Sequence, residues 1–286
     1  MRVSFCTIAF RHDTRLFPQI VNDVASLGYD GIEIWGGHLE VGQAELDTFG
    51  EVLDAAGVDV AMVSPYFDFT GGPAAWDRSL QEGRRYIEVA TALGAPLIRV
   101  FTGTIGSDRA AVDDWSACAH GLSELCRAAE HRGISLALET HPSTLVDTVD
   151  STLRLIETVN RPNLRVNLDI YHLWEVHQDA VSVLDALGPH VSHVHAKNAH
   201  YTREIKGRSP HPFVHDQKAG QDFKGITSLE EGEMDYGPFI KGLARDGFEG
   251  FVSIEWFGED VERAAERELA YVRAQVPAGT VSESSA

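Results

Sequence analysis

Four short segments of the chain each close on a side chain that can bind a metal or move a proton. They are Leu136-Ala137-Leu138-Glu139, Val166-Asn167-Leu168-Asp169, His193-Val194-His195 and Ser253-Ile254-Glu255. Each reads as a β-strand, in which successive side chains point to opposite faces. Glu139, Asp169, His195 and Glu255 therefore point away from the apolar Leu138, Leu168, Val194 and Ile254. Taken singly, each has a bland explanation: Asp169 as a helix cap, His195 as a hydrogen-bonded core histidine. Together they hold the same place in four repeat units. Three carboxylates and one imidazole at one spot repel each other unless a cation lies between them. Buried carboxylates are rare unless paired or metal-bound. The joint pattern predicts a divalent-metal site, with Mn²⁺ or Mg²⁺ first and Co²⁺ or Zn²⁺ as alternatives.

Neighbouring residues add chemistry. His141 shares a face with Glu139, and Lys197 shares one with His195. Arg99 closes another strand-like run between the apolar Ile98 and Val100, and His172 follows Asp169 by one helical turn. Glu33 lies between Ile32 and Ile34, with Trp35 and His38 beyond it. An Arg and a Lys at such positions can grip a carboxylate or stabilise developing negative charge. The competing reading of Arg99 and Lys197 is an internal ion pair with one of the carboxylates. His172 has the alternative of capping the following helix. Trp35, Trp174 and Trp256 read as packing.

The elements that position these residues alternate along the chain. Strand candidates are Val3–Ile8, Gly31–Trp35, Val58–Ser64, Pro96–Phe101, Ile134–Glu139, Leu164–Asp169, Val191–His195 and Phe251–Glu255. Helical periodicity covers Leu16–Leu27, Glu45–Ala56, Arg78–Leu93, Val112–His131, Ser151–Val159 and about Val261–Val276. Gly28, Gly57, Gly94 and Gly133 fall where helices should stop. Eight alternating units predict an α/β fold, a closed (β/α)₈ TIM barrel, whose catalytic groups gather at the C-terminal ends of the strands. No Gly-rich dinucleotide or P-loop fingerprint follows the first strand. A single barrel domain is expected over 1–276, with a long loop at about 198–231 and a disordered tail at 277–286. The loop carries Tyr201, Arg203, Lys206, Arg208, His211, His215, Lys218 and Lys224 among Gly and Pro, and reads as a lid or substrate loop.

The formal net charge of −19 argues against a nucleic-acid partner. It leaves room for a small anionic substrate, because a metal and a few local cations outweigh the global field at short range. No apolar run is long enough for a membrane span, and the first residues lack a signal-peptide pattern. Cys6, Cys118 and Cys126 are odd in number and form no C-x-x-C pair, so a cytoplasmic setting is expected. Nothing in the composition speaks against a homo-oligomer.

Glu, Asp, His and Glu at these strand ends resemble the xylose-isomerase-like barrel superfamily of sugar isomerases and epimerases. A narrower likeness covers most of the chain. The runs Cys6–His12, Gly31–His38, Glu139–Thr148, Pro162–Asp169, His195–Asn198 and Ile254–Gly258 resemble the 3-dehydroshikimate dehydratases of catechol-siderophore biosynthesis. The block around Phe213–Phe223 departs from that likeness. The resemblance implies metal-dependent dehydration of 3-dehydroshikimate to protocatechuate. It implies metal ligands at Glu139, Asp169, His195 and Glu255, and pocket roles for Tyr66, Arg99, His141, His172 and Lys197.

The residues fit such a reaction. A base must take a ring proton next to a ketone, from roughly 3 Å away. His141 is the first candidate, because its pKa can lie near working pH, and Glu255 is the second. Loss of the hydroxyl follows, and no nicotinamide or flavin is needed. The first alternative is a ketose or sugar-phosphate isomerase or epimerase passing protons through Glu139 and Glu255. An abasic-site endonuclease is opposed by the acidic charge. A non-catalytic metal or sugar sensor would leave His141 and Arg99 unexplained.

Overall fold

The computed structural model describes residues 1–175, 178–200 and 225–276. Eight parallel strands close into a barrel: β1 (Arg2–Cys6), β2 (Gly31–Trp35), β3 (Asp59–Ser64), β4 (Leu97–Val100), β5 (Ser135–Glu139), β6 (Leu164–Asp169), β7 (Val191–Ala196) and β10 (Phe251–Ile254). Neighbours in sequence are neighbours in space, and β10 returns to pair with β1. A short antiparallel ribbon, β8 (Asn198–Ala199) with β9 (Ile226–Thr227), stands apart from the barrel.

The alternation along each strand sorts the side chains. Ile98, Val100, Leu136, Leu138, Val166, Leu168, Val194, Val252 and Ile254 belong to one continuous apolar layer shared with the helices. Full burial of each such side chain contributes about 1.5–3 kcal/mol. The other face lines the barrel interior. Met62, Leu97 and Ala137 form a small apolar plug there. Around and above it the interior is polar: Ser4, Glu33, Ser64, Arg99, Glu139, Asn167, Asp169, His193, His195, Ser253 and Glu255 are all buried. Register brings them level, with Asp169 beside His195, His195 beside Ser253, and Cys6 beside Glu33.

The helices follow the expected rhythm, with starts capped and ends turned. Thr148 accepts from the Ser151 amide and opens α5 (Val149–Val159), which stops where Asn160 turns left-handed. Gly28, Gly57, Gly94 and Gly133 all adopt positive φ at helix-to-strand turns, a conformation other residues adopt only at a cost.

Several boundaries differ from the sequence reading. The first strand stops at Cys6, and Thr7–Phe10 form a 3₁₀ turn because the Thr7 hydroxyl accepts from the Trp35 amide. Glu255 lies one residue past its strand, yet its amide still donates to Ala196. Three helices were hidden by their shortness or by interrupted periodicity: α6 (Ile170–Glu175), α7 (Ala180–Leu187) and α8 (Tyr236–Arg245). The last helix, α9, is Val261–Gln275.

The ends of the predicted loop are ordered. Asn198 is buried; its amide donates to Leu229 and Met234 carbonyls at 2.9 Å each, and its oxygen accepts from the Ala199 and Met234 amides. Glu268 accepts from the Leu229 amide. Tyr201, Arg203, Lys206, Arg208, His211, His215, Lys218 and Lys224, the block Phe213–Phe223, and the tail 277–286 lie outside the described residues.

Leu136 is 1% exposed, in the outward layer and low on β5. Leu136→Ala should lower the unfolding free energy by about 2–5 kcal/mol. Urea denaturation of both proteins checks this; an unchanged midpoint would place Leu136 outside the core.

Candidate metal centre and active site

The strand ends bring Glu139, Asp169, His195 and Glu255 together. Nδ1 of His195 is 3.7 Å from Oε1 of Glu139, 3.5 Å from Oδ2 of Asp169 and 3.8 Å from Oε2 of Glu255. All four residues are at most 3% exposed. Asp169, His195 and Glu255 offer converging ligand atoms, and so do Glu139, Asp169 and His172.

Cations already stand among these carboxylates. Lys197 Nζ bridges Asp169 Oδ2 and Glu255 Oε2. Arg99 Nη1 is 3.2 Å from Oε2 of Glu139, while its Nη2 donates to the Ser64 and Pro65 carbonyls. The ion pairs weighed against a substrate role for Arg99 and Lys197 are therefore present. The Arg99 guanidinium also lies 4.5 Å from the Tyr66 ring centroid and 4.9 Å from that of Phe101, and its buried Nε has no hydrogen-bond partner among the described residues. That leaves one donor directed at no described group. Tyr66 is 43% exposed and, with Phe101, lines a neighbouring cavity of about 310 Å³ whose wall includes none of Glu139, Asp169, His195 and Glu255.

Burial alone would raise every carboxylate, and the neighbours decide which ones yield. For Glu139, burial is outweighed by Arg99 and His195, which hold it well below the usual carboxylate range. For Glu255, burial and the nearby Glu139 and Asp169 prevail over Lys197 and His195, and its carboxyl is raised. Burial would strip Lys197 of its proton, but Asp169 and Glu255 hold the ammonium charged. Burial works against a charged His195 too, and Glu33, Glu255 and Glu139 reverse it.

This donor set fits a divalent metal. Asp169, His195 and Glu255 converge as one set of ligand atoms, and Oε1 of Glu139 lies 3.7 Å from Nδ1 of the same His195. Charge agrees. Among the described residues, four buried carboxylates (Glu33, Glu139, Asp169 and Glu255) face two permanent cations, Arg99 and Lys197. A divalent ion beside a neutral His195 closes that deficit.

Behind the cluster lies a second layer, of which the sequence reading named Glu33 without giving it a role. Glu33 contacts His195, His193 and Ser64, all fully buried. Asn167 Nδ2 lies 3.2 Å from Nε2 of His195. The signals were there: a Glu between two isoleucines, and residues two positions before Asp169 and His195 on the same inward face.

The histidines of the mouth are neutral by environment. His141 packs on His172 with ring centroids 4.0 Å apart and on Phe101 at 5.1 Å. Its Nδ1 lies 2.7 Å from the Pro142 carbonyl, an acceptor only, so Nδ1 carries the proton and Nε2 keeps its lone pair. Burial lowers the His141 pKa, with Glu139 opposing. Burial also pushes His172 down, and His141 and Lys197 add to the effect. His172 does not simply cap a helix. It lies within α6, with Nδ1 2.6 Å from Oε2 of Glu175. Glu175 had not been singled out either, and burial pushes its carboxyl up to about 9.

The model of the xylose isomerase-like TIM barrel family matches residues 21–275. This chain belongs to that family. Within it, the chain is 30% identical over 273 residues to the 3-dehydroshikimate dehydratase of Bacillus anthracis, covering 94% of this chain and 95% of that one. It superposes with a TM-score of 0.84 and 28% identity on the probable 3-DHS dehydratase AsbF from Bacillus anthracis, which is involved in petrobactin synthesis. That match covers 96% of this chain and 99% of the other. A more distant member, fructoselysine 3-epimerase of Shigella flexneri, is 23% identical over 248 residues, 82% of each chain. The resemblance read from the Glu139–Thr148 and Ile254–Gly258 blocks thus extends across nearly the whole chain.

Glu175 supplies a pH test. Its folded carboxyl titrates near 9 against an ordinary 4.5, so between those values the folded chain holds a proton that the unfolded chain releases. Its contribution to stability is therefore lost as pH rises through that window, by at most about 1.4 kcal/mol per pH unit. Glu175→Gln should flatten the pH dependence, gaining on the native chain between pH 5 and pH 9. Melting curves across that range check it, and parallel profiles would mean that Glu175 is already ionised in the folded protein.

Proposed function

We propose that the chain is a divalent-metal-dependent dehydratase that converts 3-dehydroshikimate to protocatechuate. The observation that carries this reading is the placement of the base. His141 is neutral, its Nε2 lone pair is free of the Pro142 contact, and it stands on the same strand end as the carboxylate cluster. A two-glutamate epimerase needs both Glu139 and Glu255 free to move protons. Here Arg99 pins Glu139 and Lys197 holds Glu255. The likeness to the Bacillus anthracis dehydratase over 94% of the chain supports the same substrate.

Glu139, Asp169, His195 and Glu255 would hold the metal, with Mn²⁺ or Mg²⁺ favoured by the oxygen-rich set. When bound, the ion supplies Lewis-acid stabilisation of negative charge on a ketone oxygen, a contribution of several kcal/mol. The chain's own groups do the rest. Nε2 of His141 takes the ring proton adjacent to the ketone, and the C–H electron pair moves into the ring. Nε2–H of His172, with Glu175 behind its Nδ1 as a proton reservoir, protonates the departing hydroxyl, which leaves as water. Tautomerisation then gives the aromatic ring. The Nε of Arg99, beneath the Tyr66 ring and without a partner among the described residues, would receive the substrate carboxylate. Lys197 holds Asp169 and Glu255 in place, and its own charge draws an anion inward against the acidic global field.

Among the described residues, no helix is long and apolar enough to cross a membrane. Three free, buried cysteines suit a reducing cytoplasm.

Incubating metal-loaded protein with 3-dehydroshikimate should produce the ultraviolet absorbance of a catechol acid. Chelation should abolish turnover, and Mn²⁺ or Mg²⁺ should restore it. Full activity after verified removal of all metal would overturn the metal role; a change in optical rotation without a catechol product would favour the epimerase.

His141→Ala should slow the chemical step by about 10²–10⁴-fold. Metal content should hold, since His141 is outside the donor set around His195. Single-turnover kinetics with metal analysis on one preparation checks both. Near-normal turnover would move the base to Glu255, and loss of metal would place His141 among the ligands.

A further inference from the structure

Glu33 is fully buried in the barrel interior on β2, across the lumen from the metal-binding strand ends. Both of its oxygens lie 3.0 Å from Nε2 of His195. Oε2 is also 3.1 Å from Nε2 of His193, and Oε1 accepts from the Ser64 hydroxyl at 2.5 Å. The opposite ring nitrogen of His195, Nδ1, is the one that faces Glu139, Asp169 and Glu255. A neutral imidazole carries one N–H and one lone pair. A carboxylate at Nε2 calls for the N–H there, with the Asn167 amide turned so that its otherwise unpartnered oxygen faces the ring, and so leaves the lone pair at Nδ1 for the metal.

We infer that Glu33 is a positioning residue: it fixes the Nε2–H tautomer and the ring orientation of His195, so that Nδ1 serves as the metal ligand. The inference rests on the metal reading above and deepens it. Glu33 touches neither the proposed base nor the Tyr66–Arg99 wall. It acts through His195 alone. A second metal ion is the competing role, because Glu33, His193 and His195 also place ligand atoms close together. The hydrogen bonds argue against it. Glu33 already receives His195, His193 and Ser64, which satisfies both oxygens without a cation. Ser64 and His193 in turn hold the carboxylate still, so the His195 ring is fixed from β2, β3 and β7 at once.

The test is Mn²⁺ titration of the apo protein by electron paramagnetic resonance, with folding confirmed by circular dichroism, and imidazole ¹⁵N NMR of the Mg²⁺-loaded protein. The native chain should bind one Mn²⁺ and show His195 protonated at Nε2. Glu33→Gln should bind Mn²⁺ about 10–100-fold more weakly and lose the uniform Nε2–H signature. A merely structural role would lower the melting temperature and leave the folded fraction's affinity intact. Ser64→Ala, a milder loosening of the same carboxylate, should weaken Mn²⁺ binding in the same direction by a smaller factor, and it decides the matter alone if Glu33→Gln does not fold. Unchanged affinity in the folded variant overturns the assignment and leaves the metal site standing. Two Mn²⁺ per native chain, one of them lost in Glu33→Gln, makes Glu33 a ligand instead. A native chain that binds no divalent ion overturns the metal reading and this inference with it.

Discussion

Charge in a dry enclosure governs this structure. The interior of a TIM barrel is ordinarily packed with branched apolar side chains. Here that packing is confined to a plug of Met62, Leu97 and Ala137, and carboxylates, imidazoles, a guanidinium and an ammonium occupy the rest. Removing an ion from water costs several kcal/mol even after the surroundings relax. Each buried charge therefore needs a partner within a few ångströms. Arg99 stands on Glu139, Lys197 spans Asp169 and Glu255, and Glu33 faces two histidines. The outward apolar layer supplies the stability that lets such an interior persist.

The same constraint divides labour among the histidines. His195 lies where carboxylates surround it, and they favour its charged form. His141 and His172 lie a few ångströms away against Phe101 and each other, where burial favours the neutral form. One residue type thus serves two ends of the proton scale. Several carboxylates surround His195, whereas His141 turns one nitrogen to a backbone carbonyl; one carboxylate contact is not enough, since burial still lowers His193 beside Glu33. His172 adds a third case, a carboxyl that itself stays protonated.

The barrel was legible in the sequence because period-two alternation and glycine stops are local signals. Gly31–Trp35 and Leu164–Asp169 were bounded correctly, and the four strand-end ligand candidates do meet. What escaped notice depends on non-local geometry. Glu33 was noted between its two isoleucines, but its role was not: it is 162 residues from His195 in sequence, and a lone Glu on a strand names no partner until the barrel closes. Glu175 falls on a helix of six residues, too short for periodicity to reveal. For Arg99 and Lys197 the sequence left two roles open, substrate contact or internal ion pair. Folding shows the pairing, while the stranded Nε of Arg99 keeps a donor in reserve.

The ribbon of β8 and β9 has a consequence for how such a barrel can change. Asn198 and Ala199 clasp Thr227 and Ile226 directly after Lys197, and the Asn198 side chain ties both ends to the Leu229–Met234 turn. Gly232 is required beneath it, since a β-carbon there would strike the Asn198 amide. The backbone at Asn198–Ala199 and at Ile226–Thr227 is thereby held together just past Lys197. Lengthening a connection whose ends are already joined adds little entropic cost, only about 0.6 kcal/mol per doubling. A change of length between those two clasped ends is therefore cheap in chain entropy.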